Sequence, residues 1–266
     1  MEKLIHTKNF DFKVTDSGLV FDESMVTGEA KFKKSYDMNP LLRKPFDADD
    51  GSWNYVFVNG VYHSEEEKKI YQEKGMMNGI TVLNTGDLNG EVRKNSGHYH
   101  GFNEGHVLPY AEIYEIIYGK AAFFLQEADN FLKDEELNVK SMRMVVVNQG
   151  EKIVVPAFCA HCAMNIGDDM MAFYNLAVPC PLHYEPITNH HGFGYYVLKK
   201  GDVLVAVKNE NYGIMPELEV KGVKPSEELN LFADKTVFEV FAENKDAYDY
   251  LGQPEQYQEL INKIFY

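Results

Sequence analysis

His98 and His100 stand in Gly97-His98-Tyr99-His100. On a β-strand, side chains at i and i+2 share a face, so this pair can grip one ion. Further along, Gly150 to Asn165 reads G-x5-P-x-F-x2-H-x3-N and brings a third imidazole, His161. Two carboxylates between the histidine motifs, Glu104 and Glu112, can complete the set. Three imidazoles and one carboxylate suit a single divalent transition metal per chain, Fe(II), Mn(II), Zn(II) or Ni(II). An isolated HxH is a weak sign, because solvated strands carry such pairs without function. The third histidine, inside a long spaced motif, is what makes the metal reading.

The carboxylate ligand should lie on a strand returning beside His98 and His100, with its side chain turned inward. Glu104 precedes Gly105 and, soon after, Pro109, which are poor strand residues. Glu112 opens IYEIIYGKAAFF, where Glu112, Tyr114 and Ile116 share one face. Strand chemistry therefore favours Glu112. Cys159 and Cys162 flank His161, yet no second pair exists to complete a structural zinc site, so buried thiols are the expectation for these two, and all three cysteines, Cys180 included, should be reduced. His106 could serve as a fifth ligand or a lid residue, but it reads first as a solvated loop histidine, and the His190-His191 doublet reads as loop.

The framework for these donors is mostly β. Runs at 80–83, 113–117, 121–125, 142–147, 153–155, 171–178, 195–198 and 203–207 are rich in β-formers and bounded by Gly, Asn, Asp or Pro. Short strands at this spacing, without long amphipathic segments between them, predict an all-β sandwich or barrel. Ser64 followed by EEEKKIYQEKG predicts one short capped helix ending at Gly75. Helical spacing returns in SEELNLFADK and in the final QPEQYQELINKIFY. We expect an N-terminal strand arm over 1–50 packing on the barrel, the barrel and its metal site over 51–210, and a partly helical extension over 211–266.

Charge and composition narrow the function classes. A net charge of −15 argues against nucleic acid or an anionic membrane surface as partner. An anionic substrate then needs a local site of amides and hydroxyls, with Arg93 or Lys94 as cations. No apolar stretch approaches the ~20 residues of a membrane span, and the first residues, MEKLIHTKNFDFKV, lack a secretory h-region. A cytoplasmic location is the expectation.

The order HxH, E-x6-G, then G-x5-P-x4-H-x3-N resembles the paired motifs of the cupin superfamily, jelly-roll barrels that hold a divalent metal. TVLNTGDLNGEVRKNSGHYH (81–100), AEIYEIIYGKAAFFLQ (111–126), VVPAFCAHCAMNIGDD (154–169) and His183 resemble the cupin-type glucose-6-phosphate isomerases. The likeness runs from about Lys33 to Gly201. It implies a homodimer and a metal held by His98, His100, Glu112 and His161, and makes Glu112 both ligand and proton shuttle. It implies phosphate contacts at Thr81, Asn95 and Gly97 in place of a P-loop, and places His183 beside the substrate, with Tyr184 adjacent. Tyr114, two residues after Glu112, could orient a sugar hydroxyl.

Three departures stand out. Residues 101–110 form a longer loop than the isomerases carry before the glutamate. Asn95 replaces a common threonine, though an amide still donates to phosphate. Ala177 and Glu185 occupy positions where the family has tyrosines. Two rival readings stay open: an Fe(II) cupin dioxygenase, which the same donors would serve, and a non-enzymatic sugar-phosphate-binding cupin.

Overall fold

The computed structural model describes residues 2–133, 136–201 and 203–266. Two mainly antiparallel sheets face each other. The larger has six strands in the order Lys152–Val155, Glu112–Tyr118, Met171–Ala177, Met77–Leu83, Trp53–Asn59 and Ala30–Lys34. The smaller runs Cys159–Asn165, Lys120–Glu127, Ser141–Asn148 and Leu218–Lys221, the last pairing in parallel. Tyr114, Ile116, Phe123, Leu125, Val145, Val147, Ile153 and Phe173 fill the space between them. This is the expected cupin-type jelly-roll barrel.

Gly119 shows how the chain passes from one sheet to the other. It links Glu112–Tyr118 to Lys120–Glu127 with φ of +81°, and a Cβ there would lie 2.7 Å from the Met170 carbonyl oxygen. Only glycine fits both constraints.

The outer face of the large sheet is also covered. Ile5, Phe10 and Phe12 of the N-terminal segment pack there with Val237, Phe241, Leu251 and Ile261 of the tail, against Val58, Ile80, Ile113 and Leu176. Because both faces are covered, the Glu112 strand is buried almost throughout rather than alternating, its two glutamates included. The tail helix Val237–Glu243 starts with a Thr236/Glu239 capping box, and the backbone N–H of Val237 donates to Glu115 Oε2 at 2.7 Å.

The helix at 64–75 forms as Glu65–Glu73, where the Ser64 hydroxyl accepts from the Glu67 N–H and Gly75 follows at φ +62°. The SEELNLFADK stretch differs from expectation. It gives only a 3₁₀ turn at Glu227–Leu229, because Asn230 turns left-handed at φ 55° and Ser226 bridges Leu231. Trp53–Asn59, Ala30–Lys34 and Cys159–Asn165 are further strands that the β-rich runs do not include. Among the described residues, no helix is long and apolar enough to cross a membrane.

Candidate metal centre

The His98 and His161 backbones exchange both hydrogen bonds of an antiparallel bridge, at 3.3 and 3.1 Å. Facing bridge partners bring their side chains together on one face. His100 reaches the same point two residues on, and Glu112 arrives on the large sheet. One ligand atom from each of His98, His100, Glu112 and His161 lies within 4.8 Å of the other three. Glu112 Oε2 is 3.2 Å from His100 Nε2 and 3.4 Å from His161 Nε2. Converging borderline nitrogen donors and one oxygen could hold a metal ion, so the chemistry of the set fits. Glu104 sits exposed in a turn instead.

Supporting hydrogen bonds fix the donors. His100 Nδ1 lies 2.8 Å from the Tyr110 carbonyl oxygen. A carbonyl can only accept, so Nδ1 carries the proton and the lone pair of the neutral ring sits on Nε2. Asn175 Nδ2 donates to Glu112 Oε1 at 2.9 Å. The Tyr114 hydroxyl lies 2.9 Å from His161 Nε2, the nitrogen that an ion would take, so metal binding there would free the phenol proton for another acceptor.

Proton affinities follow from this crowding. Burial pushes the Glu112 carboxyl up, but hydrogen bonds and charge from His100 and His161 outweigh it and hold the group well below its ordinary range. Burial opposes a charged His100, yet hydrogen bonds to Cys180 and Glu112 raise it to about 10. Burial, reinforced by His161 and His100, drives His98 well down. His161 is lowered too, chiefly by burial. Burial also pushes the Tyr114 phenol well above its ordinary value, so it stays protonated.

His98, His100 and Glu112 line a cavity of about 400 Å³ with Thr81, Asn95, Tyr114, Asn175, Cys180 and Tyr184. His161 stands behind them at 1 % exposure. Asn95 Oδ1 is taken by the Ala163 N–H at 2.9 Å, which leaves its amide protons for the cavity. A smaller cavity of about 190 Å³, lined by Val223, Leu231 and Lys152, has no comparable donor set.

Other expected residues lie elsewhere. His183 pairs with Tyr99 across strands and packs on Phe131, with ring centroids 5.7 Å apart. Its neighbours Leu182 and Tyr184 face the metal cavity. Strand alternation thus turns His183 away, and the expectation of a substrate-side imidazole does not match its placement. Gly97 does not line the cavity either: a Cβ there would lie 2.5 Å from the Phe193 ring, so it serves close packing. Lys94 is bonded to Glu91 and to the Leu41 carbonyl, and Arg93 to the Thr85 carbonyl and Ser35, which withdraws both expected cations. Cys159 and Cys162 are buried free thiols, which burial pushes up to about 12. His190 stacks on Tyr212 and His106 pairs with Glu255, so neither joins the metal group.

Asn175 is the residue that sequence reading missed. An asparagine inside MAFYNLA carries no spacing signal, and only its register opposite Tyr114 reveals it.

A family model described as glucose-6-phosphate isomerase matches residues 32–214, more than half of the chain. The chain belongs to that family. A glucose-6-phosphate isomerase of Thermococcus onnurineus is 28 % identical over 156 residues, covering 58 % of this chain and 72 % of the relative. One of Pyrococcus abyssi is 24 % identical over 200 residues, covering 72 % and 93 %. By family, then, the protein is a sugar-phosphate isomerase. Among solved structures, an oxalate oxidase in complex with glycolate overlaps at TM-score 0.26 and 17 % identity over 38 % of this chain and 41 % of its own. Bacillus subtilis oxalate decarboxylase, studied for its Mn(II) centres, overlaps at 0.32 and 16 % over 50 % and 27 %. These partial overlaps carry no functional information for this isomerase.

Proposed function

We propose that this chain interconverts glucose 6-phosphate and fructose 6-phosphate with one divalent transition metal on His98, His100, Glu112 and His161. The observation that supports it most is the convergence of those four donor atoms within 4.8 Å at a cavity of about 400 Å³. A bound ion supplies a Lewis acid for the negative charge that develops on the sugar oxygens.

The chain's own groups do the rest. Glu112, ionised at neutral pH, removes the C2 proton of the aldose and its carboxyl then protonates C1, while the hydroxyl proton passes from O2 to O1 to give the ketose. Asn175 fixes the carboxylate plane. The protonated Tyr114 phenol donates a hydrogen bond to a sugar hydroxyl. Thr81 and the free amide of Asn95 meet the phosphate, while Lys31 and Lys33 line an adjoining cavity that shares Phe57 and Tyr184. Those lysines offset the unfavourable charge of the molecule as a whole.

One observation favours a second chemical course. A carboxylate held well below its ordinary range is a weak base, and a direct hydride shift from C2 to C1 would not need one. Turnover in D2O bears on the two courses: deuterium at C1 or C2 of product marks proton transfer, whereas a hydride shift carries none. The function itself is tested by incubating protein with fructose 6-phosphate and following glucose 6-phosphate with a coupled dehydrogenase. No product with Fe(II), Mn(II), Zn(II) or Ni(II) would overturn it.

A further inference from the structure

The C-terminal helix Pro254–Asn262 lies outside the family-matched residues 32–214. One side of it nevertheless reaches two loops that lead to metal-site histidines. Glu255 Oε1 accepts the backbone N–H groups of Val107 and Leu108 at 2.9 and 3.2 Å, and its Oε2 lies 3.1 Å from His106 Nδ1. All three partners belong to the 101–110 loop. The His106 ring packs edge-on against Tyr110 at 4.9 Å, and the Tyr110 carbonyl is the acceptor for His100 Nδ1.

A turn further along, Gln258 Oε1 accepts the Ala157 N–H at 3.0 Å. Ala157 stands in the turn that delivers Cys159–Asn165 and hence His161. Residues i and i+3 share one helical face, so a single rigid surface addresses both loops. A loop of this length without strand pairing gains its order from such contacts.

We infer that this helix is a clamp for the metal centre, with Glu255 and Gln258 as positioning residues for His100 and His161. The inference rests on the metal reading above. It explains a helix and a long loop that otherwise have no part in the reaction: each is the other's partner. The buried carbonyl that orients His100 is held in place from outside the barrel.

The test uses the full-length protein and Co(II) as probe. Removal of partners that orient metal ligands weakens binding by roughly 10–100-fold. The double variant Glu255→Ala/Gln258→Ala should therefore bind Co(II) at least about 10-fold more weakly, with a changed visible Co(II) spectrum. Its far-UV circular dichroism should be retained. Hydrogen exchange at 105–110 and 156–158 should accelerate in the metal-free variant. Glu255→Gln, which keeps an acceptor oxygen, should restore part of the affinity, and Glu259→Gln, exposed on the same helix, should match wild type. Unchanged Co(II) affinity and spectrum in the double variant, with a wild type that binds tightly, would overturn the clamp alone. A wild type that binds no Co(II) would overturn the metal reading, and with it the purpose assigned to the clamp.

Discussion

Asn175 Nδ2 donates to Glu112 Oε1 at 2.9 Å, while Oε2 of the same carboxylate faces His100 and His161. The two carboxylate oxygens therefore have separate duties, and a neutral amide sets which is which. Asn175→Ala should lower kcat by roughly 10-fold or more while moving KM little, as expected when an orienting partner is lost. Asn175→Asp should be worse, because an ionised carboxylate has no N–H to donate to Glu112 Oε1 and repels it instead. Steady-state kinetics of both variants check this, and wild-type kcat in both would contradict it.

Glu112→Gln keeps the shape of the side chain and removes the base. Turnover should fall by about 10²-fold or more with a smaller change in KM. Glu104→Gln, in its exposed turn, should be close to silent. A damaging Glu104 change would show that the 101–110 loop supplies the ligand.

Metal binding should release a proton. His100 is raised to about 10, so near pH 7.5 its ring is protonated, and an ion can take Nε2 only by displacing that proton. Calorimetric titration in buffers of different ionisation enthalpy should show release approaching one proton per ion. Affinity should weaken as pH falls. Binding that neither releases protons nor varies with pH would contradict the assignment.

Glu115 gives a separate pH dependence, in stability. Burial raises its carboxyl to about 7, despite Lys152 3.8 Å away. The folded state then binds more protons than the unfolded chain between the ordinary carboxylate range and pH 7, so stability falls as pH rises through that window and levels off above it. The effect is on the order of 3 kcal/mol at most. Thermal melts should show Tm dropping from pH 5 to 7.5 in the wild type and less in Glu115→Gln. Parallel profiles would contradict it.

Much of this was legible because metal-site spacing and β-alternation are local. His98, His100 and His161 fall in two local motifs joined by the His98–His161 bridge, and strand chemistry favours Glu112 over Glu104. The direction of His183 depends on a two-residue strand pairing with Tyr99, which no local spacing displays and where each single step turns a side chain to the opposite face. Asn175 and Glu255 were invisible for a different reason. Their roles exist only through partners 63 and 148 residues away in the sequence, and neither carries a motif. Trp53–Asn59 joins the large sheet by pairing Tyr55–Asn59 with Gly79–Leu83, a register that the sequence alone does not display.

The central claim is that an ion on His98, His100, Glu112 and His161 is required for turnover. Its most direct test is glucose 6-phosphate formation from fructose 6-phosphate by protein stripped with chelator, its metal content measured, and then titrated with Fe(II), Mn(II), Zn(II) or Ni(II). Activity should vanish on stripping and return in proportion to bound ion, saturating near one per chain, while His161→Ala should recover none of it. Undiminished turnover by protein verified to be metal-free would contradict the account.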